Sequence, residues 1–426
     1  MHICRRIHCL AFLCLMTAIT SAVFTGCGSK WSQVSKKSVT ITYDMWQTNM
    51  TDYMKERILS FEKENPNIKV ELKVPENYQT SSAEYWKNLN ETDKDKLPDV
   101  FVMNAPHFSA YQAAGKMLPI DDLLKDSEVI KMSALPESLT DIYKSDSKQY
   151  GIPIDYDTIG LWYNKKFFDQ AGISYPNRNW TWDDLMSAAK KIDALSDDVY
   201  GFITGDVGQF GYYNTIAGCG GYVVKDGKFG LNDENTRAGI QAWVDASKYS
   251  PSLDEISKSG GPHMLFMKGK AGMTFGGDWE AADFTSADSV VADQINVTEL
   301  PLMPNGNRAS VIHGKANVIS VHTKHPEEAK KFLEYLSSAE SYQKLGETGL
   351  CIVAHSDYAK LFFKQYSQYD MGIFAREAVE SSSPYPSSVI DNWEDRLNAV
   401  IAEMISGKVS VKDGCKEYMD LIGEGK

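Results

Sequence analysis

The chain has 426 residues, enough for two domains, and its 43% hydrophobic, 11% aromatic and 24% charged side chains are the usage of a folded protein rather than a disordered one. Its 57 acidic against 44 basic side chains give a formal charge of -13, which argues against nucleic-acid binding, where basic surface supplies most of the affinity. With only eight Arg, a heavily anionic ligand is disfavoured too, because bidentate capture of phosphate uses guanidinium groups.

Arg5 and Arg6 precede an apolar run from about Cys9 to Phe24, which ends in Thr25-Gly26-Cys27. This is the pattern of a secretory signal over residues 1–26. A Cys directly after Thr-Gly resembles the lipobox of bacterial lipoproteins, in which the thiol takes diacylglycerol and the Cys becomes the new N-terminus. Phe24 departs from that pattern, which usually has Leu there; the alternative is a secreted protein cut near Ala22 with Cys27 a free thiol. Residues 27–38 then read as a flexible tether, and loss of Arg5 and Arg6 takes the charge to -15. Cys219, Cys351 and Cys415 are too widely spaced for a disulfide framework or a zinc site and suit small apolar filler. No later segment has the length of a membrane span, so the mature chain is expected to be soluble, outside the cytoplasm and lipid-tethered to the outer face of the cytoplasmic membrane.

Val39, Ile41 and Tyr43 alternate with Thr, as in a strand; Met54, Ile58 and Phe61 then mark one helix face, ended at Asn65-Pro66-Asn67. Ile68, Val70 and Leu72 predict the next strand, a helical stretch runs through Trp86, and Leu97-Pro98-Asp99 leads into a buried strand at Val100-Phe101-Val102. This β-α-β-α-β order predicts α/β architecture with a mostly parallel sheet flanked by helices. Further on, Thr181 caps a helix with Asp184 three residues along, another helix runs near 236–248 with Ile240, Trp243 and Val244 inward, and Pro326 opens a third with Glu327 and Glu328 in its first turn. The tail carries Leu397, Val400, Ile401 and Met404 on one helix face, ended by Gly407.

Four ordered stretches carry a family resemblance. They are Pro98-Asp99-Val100-Phe101 with Leu118-Pro119-Ile120-Asp121; Tyr150-Gly151-Ile152-Pro153 through Tyr163-Asn164-Lys165 and Trp180-Thr181-Trp182-Asp183-Asp184-Leu185; Gly269-Lys270-Ala271-Gly272-Met273 with Gly277-Asp278-Trp279; and His313-Gly314 with Lys324-His325-Pro326-Glu327-Glu328-Ala329. No one piece is diagnostic; together, in order, the chain resembles the extracellular solute-binding proteins of bacterial ABC importers, specifically the carbohydrate-binding family that includes maltose-binding protein. The resemblance implies a type II periplasmic-binding-protein fold with two α/β lobes and the ligand cleft at the hinge. It places lobe one at 39–155 plus 310–358 and lobe two at 158–306 plus 360–426. It also implies a monomer that closes on ligand and is then recognised by the permease subunits of an ABC transporter.

A sugar presents apolar C–H faces and a rim of hydroxyls, so its site needs flat aromatic rings and charged acceptors. Trp46 follows the first strand, where a parallel sheet's carboxyl end meets a cleft, and Asn104 follows the third, although a helix cap is an equal reading for Asn104. Asp155 and Asp157 share one strand face at the expected first hinge crossing, where the family often places a ligand-contacting acid. Phe210, Tyr212 and Tyr213 precede Gly220-Gly221, where the family carries sugar platforms; at least one of the three is expected to face the cleft, with core packing the alternative for the others. Asp278 and Trp279 follow Gly276-Gly277, whose glycines let backbone approach a ligand. His313 lies where the chain recrosses the hinge, and Trp393, opening the tail helix, matches a family aromatic that stacks on ligand, with core packing its rival. Trp162, Trp180, Trp182 and Trp243 are assigned to structure, and neither cofactor nor metal is expected.

The expected function is a non-enzymatic binding lipoprotein that captures a carbohydrate, most readily an oligosaccharide, for an ABC importer. The alternatives are an extracellular glycosidase or lyase, against which no nucleophile elbow, HExxH or acid/base pair is found, or the same fold taking a polyol, sugar phosphate or peptide. A sensing lipoprotein would use the same closure.

Overall fold

Val39–Asp44 is a strand whose Ile41 and Tyr43 turn inward, and the amphipathic helix Thr51–Glu64 that follows buries Met54, Ile58 and Phe61 against it. The computed structural model describes residues 38–424 apart from 77–80, 94–95 and 391; the signal at 1–26, Cys27 and the tether up to residue 37 lie outside the described residues. Ile68–Lys73 pairs in parallel with the first strand, Val39 opposite Ile68, and Val100–Asn104 pairs in parallel on its other side. The β-α-β-α-β reading therefore holds through residue 104.

The sheet beyond these strands departs from the mostly parallel expectation. Ser310–Ile319 runs antiparallel to Val100–Asn104 and, on its other edge, antiparallel to Gly151–Asp157, which pairs antiparallel with Ile352–Val353. A second sheet has Ile159–Asn164 and Ala271–Gly277 at its centre, antiparallel to each other, with Ile295–Thr298 antiparallel on one side and Tyr200–Ile203 parallel on the other. Both sheets are mixed. Parallel neighbours need a crossover helix between them, and strands that arrive directly from the other sheet have none.

The chain passes from the first sheet to the second at Thr158 and returns at Ser310. Both points are pinned: the Thr158 hydroxyl donates to the Phe374 carbonyl at 2.8 Å, and the Ile159 N–H donates to Ser310 Oγ at 2.7 Å. Ser382–Pro384 pairs with Ser310–Ile312, adding a further strand beside the return crossing. Buried apolar side chains run without a break from Ile41 and Phe332 under the first sheet to Trp162, Phe266 and Phe284 under the second, so the two sheets share one continuous core.

The helices follow their sequence signals. Trp182–Asp193 opens with a complete Thr181/Asp184 capping box, Pro326–Leu336 carries Glu327 and Glu328 in its first turn, and Trp393–Ile405 buries Leu397, Val400, Ile401 and Met404 before Gly407. The helix expected near 236–248 spans Glu234–Ala246, capped by the Asp233 carboxylate.

Helix Gly372–Glu380 buries a carboxyl group, Glu377, which accepts the Leu300 N–H at 3.0 Å and the Ser381 hydroxyl. Burial pushes its pKa up from 4.5 to about 7; the bonds from Ser381 and Leu300 and the charge of Arg308 pull the other way, and Glu299 adds to the rise. A carboxyl group raised in the fold gives its full contribution while protonated and loses it as pH rises towards 7. Glu377→Gln keeps an acceptor for Leu300. Wild type is therefore expected to lose about 3 kcal/mol relative to the variant between pH 4 and pH 8. Urea unfolding of both proteins across that range measures it, and a constant difference would assign Glu377 an ordinary pKa.

Candidate functional site

Strand ends from both sheets meet around a cavity of about 370 Å³. Trp46 and Gln47 come from just after the first strand, Asp157 from the last position of Gly151–Asp157, Asp278 and Trp279 from directly after Ala271–Gly277, and Lys315 from the middle of Ser310–Ile319. Leu350 and Cys351 add to its wall.

The two indoles are held from behind. Trp46 lies 5.1 Å from the Tyr85 ring and 5.4 Å from the Trp86 ring, centroid to centroid, and Tyr85 is itself fixed by donating to the Val102 carbonyl at 2.6 Å. Trp279 lies against the backbone of Gly277, where a Cβ would sit 2.0 Å from the indole; only glycine permits that position. Both indoles stay partly exposed.

The polar residues lie on one face of the first sheet. Lys315 is the cross-strand partner of both Asn104 and Asp155, and His313, two positions earlier, is the partner of Asp157. Lys315 Nζ is 2.9 Å from Asp155 Oδ2 and 3.8 Å from Asp157 Oδ2, and the Lys315 backbone N–H donates to Asp155 Oδ1 at 3.0 Å. His313 Nδ1 is 3.3 Å from Asp157 Oδ2. Asp278 is buried, and its Oδ1 accepts the Thr158 N–H at 3.4 Å.

Burial acts to raise Asp157, but the Lys315 ammonium and the His313 ring outweigh it and hold the carboxyl below its ordinary range. Asp278 moves the other way, raised well above that range by burial and then by the charge of Asp157. Burial works against the Lys315 ammonium, yet Asp155 and Asp157 raise its pKa overall. The site thus holds an ionised Asp157–Lys315 pair beside a carboxyl group, Asp278, that favours its protonated and donating form.

Of the residues singled out from sequence, Trp46, Asp157, Asp278 and Trp279 line this cavity. Asp155 is fully buried behind it as the partner of Lys315, and His313 stands beside Asp157 with its ring 5.1 Å from that of Tyr385. Asn104 occupies the helix N-cap position but makes no cap bond; its Oδ1 pairs with His107 Nδ1 at 2.7 Å, and the His107 ring stacks on Trp86 at 3.8 Å.

Of the three aromatics before Gly220-Gly221, Tyr212 and Tyr213 follow the core-packing alternative and turn into the core of the second sheet. Tyr212 donates to Asn398 at 2.7 Å and Tyr213 to Glu394 at 2.9 Å, both hydroxyls buried with their rings. Gly208 explains the packing, since a Cβ there would lie 2.3 Å from the Tyr213 ring. Phe210 is half-buried against the same core. Trp393 stacks on Tyr213 and abuts Phe229, so its core-packing alternative describes it.

Gln47, Lys315, Leu350 and Cys351 were not singled out from sequence. Lys315 had a signal: it is two residues from His313 on one strand and so shares its face. Gln47 Oε1 is buried with no hydrogen-bond partner. Among the described residues no group of His, Cys, Asp or Glu is arranged to hold a metal ion, and no helix is long and apolar enough to cross a membrane.

Two mixed sheets joined by pinned crossings, with a cavity lined from both, define a two-lobed binding fold of the type II periplasmic class. The sequence profile of the bacterial extracellular solute-binding protein family matches residues 47–343, and the chain belongs to that family. Among curated relatives, it is 25% identical over 288 residues to the maltodextrin-binding protein MdxE of Bacillus subtilis, covering 66% of this chain and 67% of the relative. It is also 25% identical over 357 residues to the multiple sugar-binding protein of Streptococcus mutans, covering 77% and 78%. Among solved structures, the ABC substrate-binding protein Lmo0181 of Listeria monocytogenes in complex with cycloalternan superposes with a TM-score of 0.77 at 21% identity, over 91% of this chain and 99% of that one. The sugar-binding protein MalE of Xanthomonas citri gives a TM-score of 0.75 at 18% identity, over 91% and 97%.

Proposed function

We propose that this chain is the carbohydrate-capturing component of a bacterial ABC importer, held at the outer face of the cytoplasmic membrane by lipid on Cys27 and binding its ligand without transforming it. The observation that carries this reading is the cavity itself: the indoles of Trp46 and Trp279, which follow strands of different sheets, line it together with the carboxyl groups of Asp157 and Asp278. Flat rings suit the C–H faces of a sugar ring, and carboxyl oxygens suit its hydroxyls. The volume of about 370 Å³ falls at the lower end of small-molecule sites, which fits one or two sugar units enclosed and leaves longer chains to extend outwards. Relatives named for maltodextrin and multiple sugars support the same class of ligand.

In this reading the lobes are 39–155 with 310–358 and 158–306 with 360–426, turning about the crossings at Thr158 and Ser310, and the protein acts as a monomer that presents its closed form to the permease. Glycoside hydrolysis is disfavoured by the placement of the acids. Asp155 and Asp157 share one strand face and are both tied to Lys315, so those two do not flank a bond from opposite sides; the pair that lines the cavity, Asp157 and Asp278, is what the assay for new reducing ends tests.

A thermal-shift screen over malto-, arabino-, xylo- and galacto-oligosaccharides, with mannitol and glucose 6-phosphate included, tests the reading. At least one neutral oligosaccharide is expected to raise the unfolding midpoint, since a ligand present at about 100 times its Kd stabilises the fold by about 2.7 kcal/mol. The same mixtures are expected to gain no new reducing ends on incubation. A panel without any shift, or a release of reducing sugar, would overturn it.

A further inference from the structure

The cavity's one lysine is already engaged. Lys315 is the only Lys or Arg among the described residues lining it, and its Nζ is held by Asp155 at 2.9 Å and approached by Asp157 at 3.8 Å, on a side chain only 14% exposed. The other polar residues on the wall are Gln47, Asn49, Ser82, Asp157 and Asp278, and none of them carries a positive charge. Asp157 and Asp278 present carboxyl groups, and Gln47 presents a buried Oε1 with no partner. A lysine meant to receive an anion stands with ligand-facing valences open; this one is drawn back onto the sheet by two aspartates on the neighbouring strand.

We propose that Lys315 is a specificity-determining residue that excludes acidic sugars: locked by Asp155 and Asp157, it cannot serve as an anion receptor, and the acceptors around it take an uncharged saccharide through its hydroxyl donors. This rests on the carbohydrate reading above and deepens it. A uronate or sugar phosphate brought into the cavity would face the ionised Asp157 with no unpaired cation to meet it, and a buried anion without a partner is strongly disfavoured. An uncharged saccharide brings no charge into the cavity and offers hydroxyl protons to the Asp157 carboxylate. The lock also has a built-in release. Asp155 does not line the cavity, and converting it to Asn removes the nearer of the two negative charges on Lys315 while keeping an oxygen for the Lys315 backbone N–H.

Calorimetric titration with matched probes tests this: maltotriose against its C6-oxidised glucuronate form, and α-1,4-galactotriose against α-1,4-linked trigalacturonic acid, together with the neutral saccharide that gives the largest thermal shift. For the wild-type protein the acidic member of a pair is expected to bind at least thirtyfold more weakly than its neutral counterpart. In Asp155→Asn the acid-to-neutral affinity ratio is expected to rise at least tenfold, and Asp155→Ser, which withdraws the same charge without touching the cavity wall, provides a second reading of the same ratio should the first variant fold poorly. Acidic and neutral probes binding within threefold of each other, or an unchanged ratio in both variants, would overturn the assignment of Lys315. If no neutral saccharide binds at all, it is the carbohydrate reading that has failed, a result distinct from equal binding, and the inference falls with it.

Discussion

Trp279→Ala is expected to weaken binding of the best neutral saccharide by about thirtyfold or more, the loss typical of truncating a tryptophan at the centre of a binding site. The indole lies on the Gly277 backbone at the mouth of the second sheet, and no other ring from that sheet lines the cavity among the described residues. Removing it leaves one face of a bound sugar ring against water. The side chain is only partly buried, and the glycine beneath it stays in place, so the unliganded variant should unfold within a few degrees of wild type. Calorimetric titration with the saccharide, paired with circular-dichroism melting of the unliganded variant, separates the two effects. Affinity equal to wild type in a well-folded variant would remove Trp279 from the site.

Lys315→Met is expected to destabilise the unliganded protein by about 3 to 5 kcal/mol at pH 7. Methionine fills nearly the same space, but it strands the charge of Asp155, which is fully buried, and removes the main support of the Asp157 carboxylate. A carboxyl group held low in the fold contributes stability above its ordinary pKa, and that contribution disappears as pH falls through the lowered value. The gap between wild type and variant should therefore be widest at neutral pH and shrink as pH falls, first as the buried Asp155, whose pKa burial raises, takes up its proton, and last as Asp157 does below its lowered value. Urea unfolding at pH 7 and pH 3.5 reads this directly. Asp155→Asn in the Lys315→Met background should recover part of the loss, because it withdraws the stranded charge. A variant as stable as wild type at pH 7 would mean that the lysine and its aspartates do not share a buried pair.

Local pattern was enough for the elements, and its reach ended where pairing became distant. The apolar spacing of Met54, Ile58 and Phe61, the cap at Thr181 and the glycine after the tail helix each act within a few residues, so they were legible. The direction of Ser310–Ile319 against Val100–Asn104 was not, because nothing in either segment names its partner. Trp46, Asp278 and Trp279 were readable because they stand immediately after strands, and Gly277 marks the close approach the indole needs. Tyr212 and Tyr213 follow the core-packing alternative for a reason the local sequence does not carry. The space that draws Tyr213 inward is made by Gly208, and the acceptors that satisfy the two hydroxyls, Asn398 and Glu394, lie far along the chain. Lys315 was missed although the period-two rule applied to Asp155 and Asp157 reaches it from His313 just as well.

The placement of Ser310–Ile319 in the middle of the first sheet has a consequence for how the molecule is made. Its register joins Asn104 to Lys315, positions more than two hundred residues apart, and between them the chain builds the whole second sheet. Until that late strand arrives, Val100–Asn104, buried along its full length in the finished molecule, keeps one hydrogen-bonding edge open. Such a topology carries a large loop-closure cost before its central ladder can form, which slows folding and leaves an adhesive margin on any partly synthesised or truncated chain. A fragment that stops short of residue 310 is thus a candidate for aggregation rather than a half-sized binding protein.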